Sequence, residues 1–304
     1  MRPETQGHLA MLAFSALVAG SFSLGVLAAN LVDPAALMAV RFGLAAVVIG
    51  VVAWASGKLS WQAFRAPWRY VLTGGLFAAY FVLMFEGLKT APPISAAAVF
   101  TLTPIISAIA GWLLLRQVTT LRIALALAIG ACGALWVIFR ADWQLFRAFH
   151  VGVGEVTYFI GCIAHAFYTP LLRKLNRGES AVVFSFGVLV AGFVLLMLYA
   201  GAEVIATDWA AMPPIVWITL AYLVVFSTAM SFVLLQTGSM RLPSAKVMAY
   251  TYLTPTWVIV WEMALGHGVP TGMMLVGVAL TVVALVMLLE QGSDSTTKRP
   301  RTEP

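Results

Sequence analysis

Charge is what this chain has least of. Only 10% of its 304 residues are Asp, Glu, Lys or Arg, against about 25% in an ordinary soluble domain, while 62% are hydrophobic and mean hydropathy is +0.95. A water-soluble globule is excluded. Cysteine is nearly absent: Cys132 and Cys162 both lie in apolar runs and read as small buried hydrophobes, with a disulfide the minority reading. The signatures of membrane-embedded enzymes are missing too, with no HExxH, no GxSxG and no close pair of intramembrane aspartates. Without a P-loop the chain carries no ATPase engine of its own. No cofactor or metal site is expected. The net charge of +6 comes from basic residues scattered between apolar runs, which speaks for orientation in a bilayer and against nucleic acid.

What the chain has is apolar runs of roughly 20 residues, the length that crosses a hydrocarbon core of about 30 Å. Ten are expected, at residues 8–29, 35–55, 69–89, 94–115, 121–139, 152–172, 181–201, 213–236, 245–265 and 271–290. The connections are short and carry turn residues, as at Asn30 to Pro34 and Met212 to Pro214. The first run resembles a signal peptide around Val26, Leu27 and Ala28, but it exceeds the usual apolar length of about 7–15 residues, and removing it would leave an odd half. With the N-terminus inside, the inner side receives about 14 Lys and Arg and the outer side about 3. Both termini are therefore expected in the cytoplasm, and the short loops suit a multi-pass protein of a bacterial inner membrane. Residues 291–304, with SDSTTKRPRTEP, are expected to be a disordered cytoplasmic tail.

Two stretches repeat. Thr90 to Ile105 and Arg241 to Thr256 align with Gly87 on Gly238, Pro92 on Pro243, Ala98 on Ala249, and Leu102, Thr103, Pro104 on Leu253, Thr254, Pro255. A proline inside an isolated helix costs about 3 kcal/mol; in a membrane it is tolerated where neighbours or water serve the freed carbonyls. Interruptions at matching places in two halves point to the lining of a binding site, packing kinks being the plainer alternative. The halves, residues 1–150 and 151–290, also place Phe42 opposite Phe186. With five spans in each half the second enters from the opposite side, so the expected fold is an all-α membrane protein of ten transmembrane helices in two inverted five-helix repeats.

The run FEGLKTAPPISAAAVFTLTPIISAIAGWLLL, the glycine-rich IALALAIGACGALWV, their counterparts LLQTGSMRLPSAKVMAYTYLTPTWVIVWEMALG and MMLVGVALTVVALV, and ALMAVRFGLAA together resemble the EamA domain of the drug/metabolite transporter superfamily. The resemblance implies a ten-helix carrier with a pocket between the halves, usually exporting amino acids or other small metabolites. The Gly-Glu pair that often follows the fourth and ninth helices of that family stands here as Arg116 with Gln117 and Gly266 with His267, so no role of those glutamates carries over.

Candidate site residues follow from the rarity of polar groups inside spans. Tyr158, Gly161, His165 and Tyr168 share one face of the sixth span, a plausible wall for a small amphipathic solute, and Ser21 falls opposite His165 in the overlay. Thr101 and Tyr252 occupy equivalent places before Pro104 and Pro255, and Tyr80 comes from the third span. All are expected to bind substrate, or else to hydrogen-bond between helices. Arg41 lies about two turns into its span; it either pairs with an outer carboxylate (Glu86, Glu155 or Glu262) as a gate, binds a substrate carboxylate, or snorkels. Pro104 and Pro255 are the expected hinges. The resulting expectation is a secondary exporter of amino acids or related metabolites, with a multidrug or nucleoside exporter of the same fold, or a membrane enzyme, as alternatives. If protons are partners, His165, with an ordinary pKa near 6.5, is the best-placed coupling group, with Glu86 and Glu262 as rivals; uncoupled flux fits equally.

Overall fold

The structure, a computed structural model, describes residues 3–59, 61–116, 120–139, 142–144, 151–242, 247, 249–268 and 271–297. Among them there is no strand. The helices are α1 (Pro3–Ala29), α2 (Pro34–Ala55), α3 (Trp68–Leu88), α4 (Pro93–Phe100), α5 (Thr103–Leu115), α6 (Leu121–Ile138), α7 (Val153–Leu175), α8 (Ala181–Ala206), α9 (Pro214–Val224), α10 (Ser231–Arg241), α11 (Thr254–Ala264) and α12 (Gly272–Thr297). Their starts are written locally. Proline occupies the first turn of α2, α4 and α9, where its missing N–H is no loss. Side chains of Asp33, Thr120 and Ser180 accept from the N–H groups of Ala36, Ile123 and Val183, capping α2, α6 and α8.

Eight segments are long and apolar enough to cross a membrane, counting α4 with α5 and α9 with α10 as single spans. The two further spans expected at 152–172 and 245–265 are not among them. Helix α7 has the length, at 23 residues, but a polar stripe with Tyr158, His165 and Thr169 dilutes its hydropathy. In the other, residues 245, 246 and 248 lie outside the described residues, as does Pro243 just before it. A 3-10 turn at Tyr250–Leu253 follows, and α11 is only 11 residues long. Helix α12 continues through 291–297, the start of the expected tail, whose remaining residues 298–304 lie outside the described ones.

Helix α1 ends where α7 begins. At one end of the bundle the Asn30 amide donates to the Lys89 carbonyl at 3.2 Å, and Gly154 of α7 lies against Gly87 of α3. At the other end Gly7 of α1 meets Leu242, and His8 Nδ1 lies 2.8 Å from the Tyr250 hydroxyl. The closest helix packing joins α2 to α8, α3 to α7 and α6 to α12. Contacts between unlike helices recur in the two halves: α3 on α7 answers α1 on α10, and α5 on α7 answers α1 on α11. The main core, with Phe22, Phe42, Met84, Phe85, Phe100 and Tyr158, runs between the halves. At the end bearing residues 176–180 the halves are also stapled: Arg69, 2% exposed, donates to the carbonyls of Ala63 and Leu175 and to Glu179 Oε1 at 2.7 Å.

Candidate functional site

Both repeated stretches are interrupted where the sequence places Leu-Thr-Pro. After α4 the chain turns at Thr101 and Leu102 before α5 resumes with Pro104 in its first turn. In the second copy the 3-10 turn Tyr250–Leu253 precedes α11, with Pro255 likewise in its first turn. A third interruption was not anticipated: α9 and α10 are separated by a π turn, Val225–Met230. Such a turn widens the helix and releases carbonyls from their usual partners; here the Thr228 hydroxyl donates to the Leu223 carbonyl at 2.8 Å.

Between the halves lies a cavity of about 250 Å³. Its deep end is formed by Ser21, Phe22, Arg41, Tyr80, Phe81 and Met84, of which none is more than 9% exposed. Its other end is lined by half-buried Phe14, Leu172, Phe232, Leu235 and Thr251. The α7 face packs on α3 throughout. Gly161 lets α7 approach the Tyr80 backbone, the His165 ring lies 4.5 Å from the Tyr80 ring, and Tyr168 stacks on Phe77 at 4.7 Å. His165 Nδ1 is buried without a hydrogen-bond partner.

Arg41 is 2% exposed. Its guanidinium carbon lies 3.9 Å over the centre of the Phe81 ring. One nitrogen donates to Thr228 Oγ1 at 3.2 Å and another to the Met38 sulfur at 3.7 Å, and no carboxylate among the described residues pairs with it. Those the sequence offered as partners are engaged elsewhere: Glu86 with Lys89, Glu155 with the Ser95 hydroxyl, and Glu262 with His267, each at 2.8 Å. Burial also removes snorkelling from the readings of Arg41.

Of the expected substrate residues, the cavity gathers Ser21, Tyr80, His165 and Tyr168. Tyr158 stands behind them, its hydroxyl 3.0 Å from that of Tyr80. Thr101 is buried and donates to the Ala98 carbonyl at 2.6 Å. Tyr252 packs with Ala126, Leu127, Ala284 and Leu285, away from the cavity lining. The sequence reading missed Phe77, Phe81, Ser227, Thr228 and Ser231, which line the cavity; the Ser21 and Ser227 hydroxyls meet at 2.6 Å. The visible signal was three hydroxyls, Ser227, Thr228 and Ser231, within five residues of a mostly apolar span.

Comparison with known proteins follows this duplication. The profile of the EamA-like transporter family matches twice, at residues 5–139 and 152–290. The chain belongs to the EamA-like transporter family. Among relatives of this EamA-like transporter, "Uncharacterized transporter YyaM" of Bacillus subtilis (strain 168) is 22% identical over 282 residues, 92% of each chain. "Uncharacterized transporter YetK" of the same organism is 23% identical over 159 residues, 52% of this chain and 48% of that one. A protein of known crystal structure shares the fold, with a TM-score of 0.68 and 21% identity over 96% of this chain and 98% of its own. The cavity of this EamA-like transporter thus lies between its two family domains, with Arg41 and Tyr80 in the first and His165 and Thr228 in the second.

Proposed function

We propose that the chain is a secondary carrier that exports amino acids or related small metabolites across a bacterial inner membrane by alternating access of two inverted repeats. The observation that carries this reading is the cavity between the halves, sealed at its polar end by buried aromatics and lined at the other by half-buried side chains. Its volume, about 250 Å³, falls below the roughly 300–1,000 Å³ of sites for drug-sized ligands, which favours a metabolite over a large drug. The inverted repeat is supported by α1 ending where α7 begins and by the paired helix contacts. By the positive-inside bias the half-buried end faces the cytoplasm, which makes this the state that takes up cytoplasmic solute. Pro104 and Pro255 sit where helices must flex for the seal to change ends. Ser21, Tyr80, His165 and Tyr168 contact the solute, Tyr158 holds Tyr80, and His165 is the group through which protons couple.

The test is counterflow in proteoliposomes of the purified chain: saturable exchange of a radiolabelled amino acid or carboxylate metabolite supports the reading. A panel in which nothing exchanges above protein-free vesicles refutes it.

A further inference from the structure

The deep end of the cavity carries a cation and no anion. Arg41 is the sole Lys or Arg among the described lining residues, and none of them is Asp or Glu. A guanidinium has five N–H donors; two meet acceptors, and one of these is a thioether, which accepts weakly. Stacking on Phe81 engages the flat face of the group and leaves its edge, where the donors lie, for another ligand. A buried charge so poorly matched is costly unless an anion completes it.

The surroundings fit an anion's partners as well. The Thr228 hydroxyl spends its proton on the Leu223 carbonyl and turns its oxygen to Arg41, which fixes the guanidinium plane. The Ser21 and Ser227 hydroxyls, the latter next in the chain to Thr228, belong to the same lining, and between them they keep one further proton to donate. Phe22, Phe77, Phe81, Met84 and Tyr168 supply an apolar wall for the rest of a solute.

We propose that this end of the cavity is a receptor for one anionic oxygen group, and that the transported solute is a small monoanion with an apolar or aromatic body. Such a solute is preferred to a zwitterion or cation of the same shape, because an ammonium group would find no carboxylate among the described lining residues. The proposal rests on the carrier reading for its biological sense and narrows its substrate class from zwitterionic amino acids to the related monoanionic metabolites; the receptor itself stands on Arg41. Carboxylate and sulfonate share the required chemistry, and a dianion such as a phosphate monoester exceeds the single permanent cation, Arg41.

The test uses four solutes on one body: 3-phenylpropanoate, 2-phenylethanesulfonate, phenylalanine and 2-phenylethylamine. Binding to the full chain in phosphatidylcholine nanodiscs is measured by titration calorimetry. Both anions are expected to bind at least roughly tenfold more tightly than phenylalanine and the amine. Arg41→Gln is expected to abolish that preference without weakening the amine, and Arg41→Lys to retain part of it, a pattern that a purely structural role for Arg41 would not give. Phenylalanine or the amine binding as tightly as the anions, no binding of either anion, or an unchanged preference in Arg41→Gln overturns the proposal. If Arg41→Gln does not fold, the wild-type ratio alone decides. Proteoliposome flux of the same four solutes separates the two readings: flux of phenylalanine without anion binding sinks this inference and leaves the carrier, whereas anion binding with no flux of any solute sinks the carrier and leaves the receptor.

Discussion

A Cβ on Gly87 would stand 2.6 Å from the carbonyl oxygen of Gly154 and 2.9 Å from the Tyr158 Cβ, so α3 and α7 meet backbone to backbone. Gly238 holds the matching place in the second half, against Met11 and close to Gly7 of α1. Residues 154 and 158 are four apart, as are 7 and 11, so the two contacts repeat one design. Their tolerance differs, because backbone cannot yield and a methionine side chain can. Gly87→Ala is expected to destabilise the protein by about 1–3 kcal/mol and Gly238→Ala by less than about 1 kcal/mol, read from thermal unfolding in detergent.

Arg116 ends α5 with φ 53°, the left-handed conformation that disfavours residues with a Cβ. Gly266, just past α11 and one residue earlier in the register of the repeat, has φ 81°. The departure from the Gly-Glu pattern at Arg116 is therefore a local strain as well as a change of charge. Arg116→Gly should stabilise the chain by about 0.5–1 kcal/mol, whereas Arg116→Ala, which keeps the Cβ, should not. A higher melting temperature for the alanine variant than for the glycine variant would contradict this.

The Arg69–Glu179 staple has a pH signature. Burial alone would raise the Glu179 carboxyl, but hydrogen bonds from Arg69 and from the Arg177 N–H outweigh it and hold the group below the usual carboxylate range. A carboxyl depressed in the folded state stabilises above its unfolded pKa, and that contribution fades as pH falls through the folded value. Glu179→Gln should cost about 2 kcal/mol at pH 7, and the difference from wild type should shrink to nothing at a pH below the folded pKa of Glu179. A penalty that persists undiminished in acid would show that shape, not charge, is what the staple needs.

His165 sits among Phe77, Tyr80, Phe100 and Tyr168 with an unpartnered Nδ1. If it is the coupling group, an imposed proton gradient accelerates counterdirected solute flux in the wild type and has no effect in His165→Gln, whose gradient-free exchange persists. Gradient stimulation of equal size in both proteins would move coupling to another residue or remove it.

The sequence showed the helix breaks before Pro104 and Pro255, the doubled domain and the α7 face, because proline and the spacing of polar residues in an apolar chain act locally. It did not show which tyrosines reach the cavity. Tyr158 and His165 share a helix face, yet about two turns apart along α7 one stands behind Tyr80 and the other in the lining. Tyr252 and Thr101 are equivalent in sequence and neither joins the lining: Gly130 on α6 makes room for the Tyr252 ring, and Thr101 turns its hydroxyl to the Ala98 carbonyl. The π turn at Val225–Met230 was illegible for another reason: one inserted residue leaves the composition of the span unchanged while turning Thr228 toward Arg41.

The most direct test of the carrier account is counterflow in proteoliposomes preloaded with an unlabelled solute panel of amino acids and carboxylate metabolites, comparing the wild type with Tyr80→Trp, which fills the deep end of the cavity. The expected result is saturable exchange of at least one solute in the wild type and a loss of about tenfold or more in Tyr80→Trp with the protein still folded. Exchange that survives the filled cavity unchanged would contradict the assignment of this cavity as the transport site.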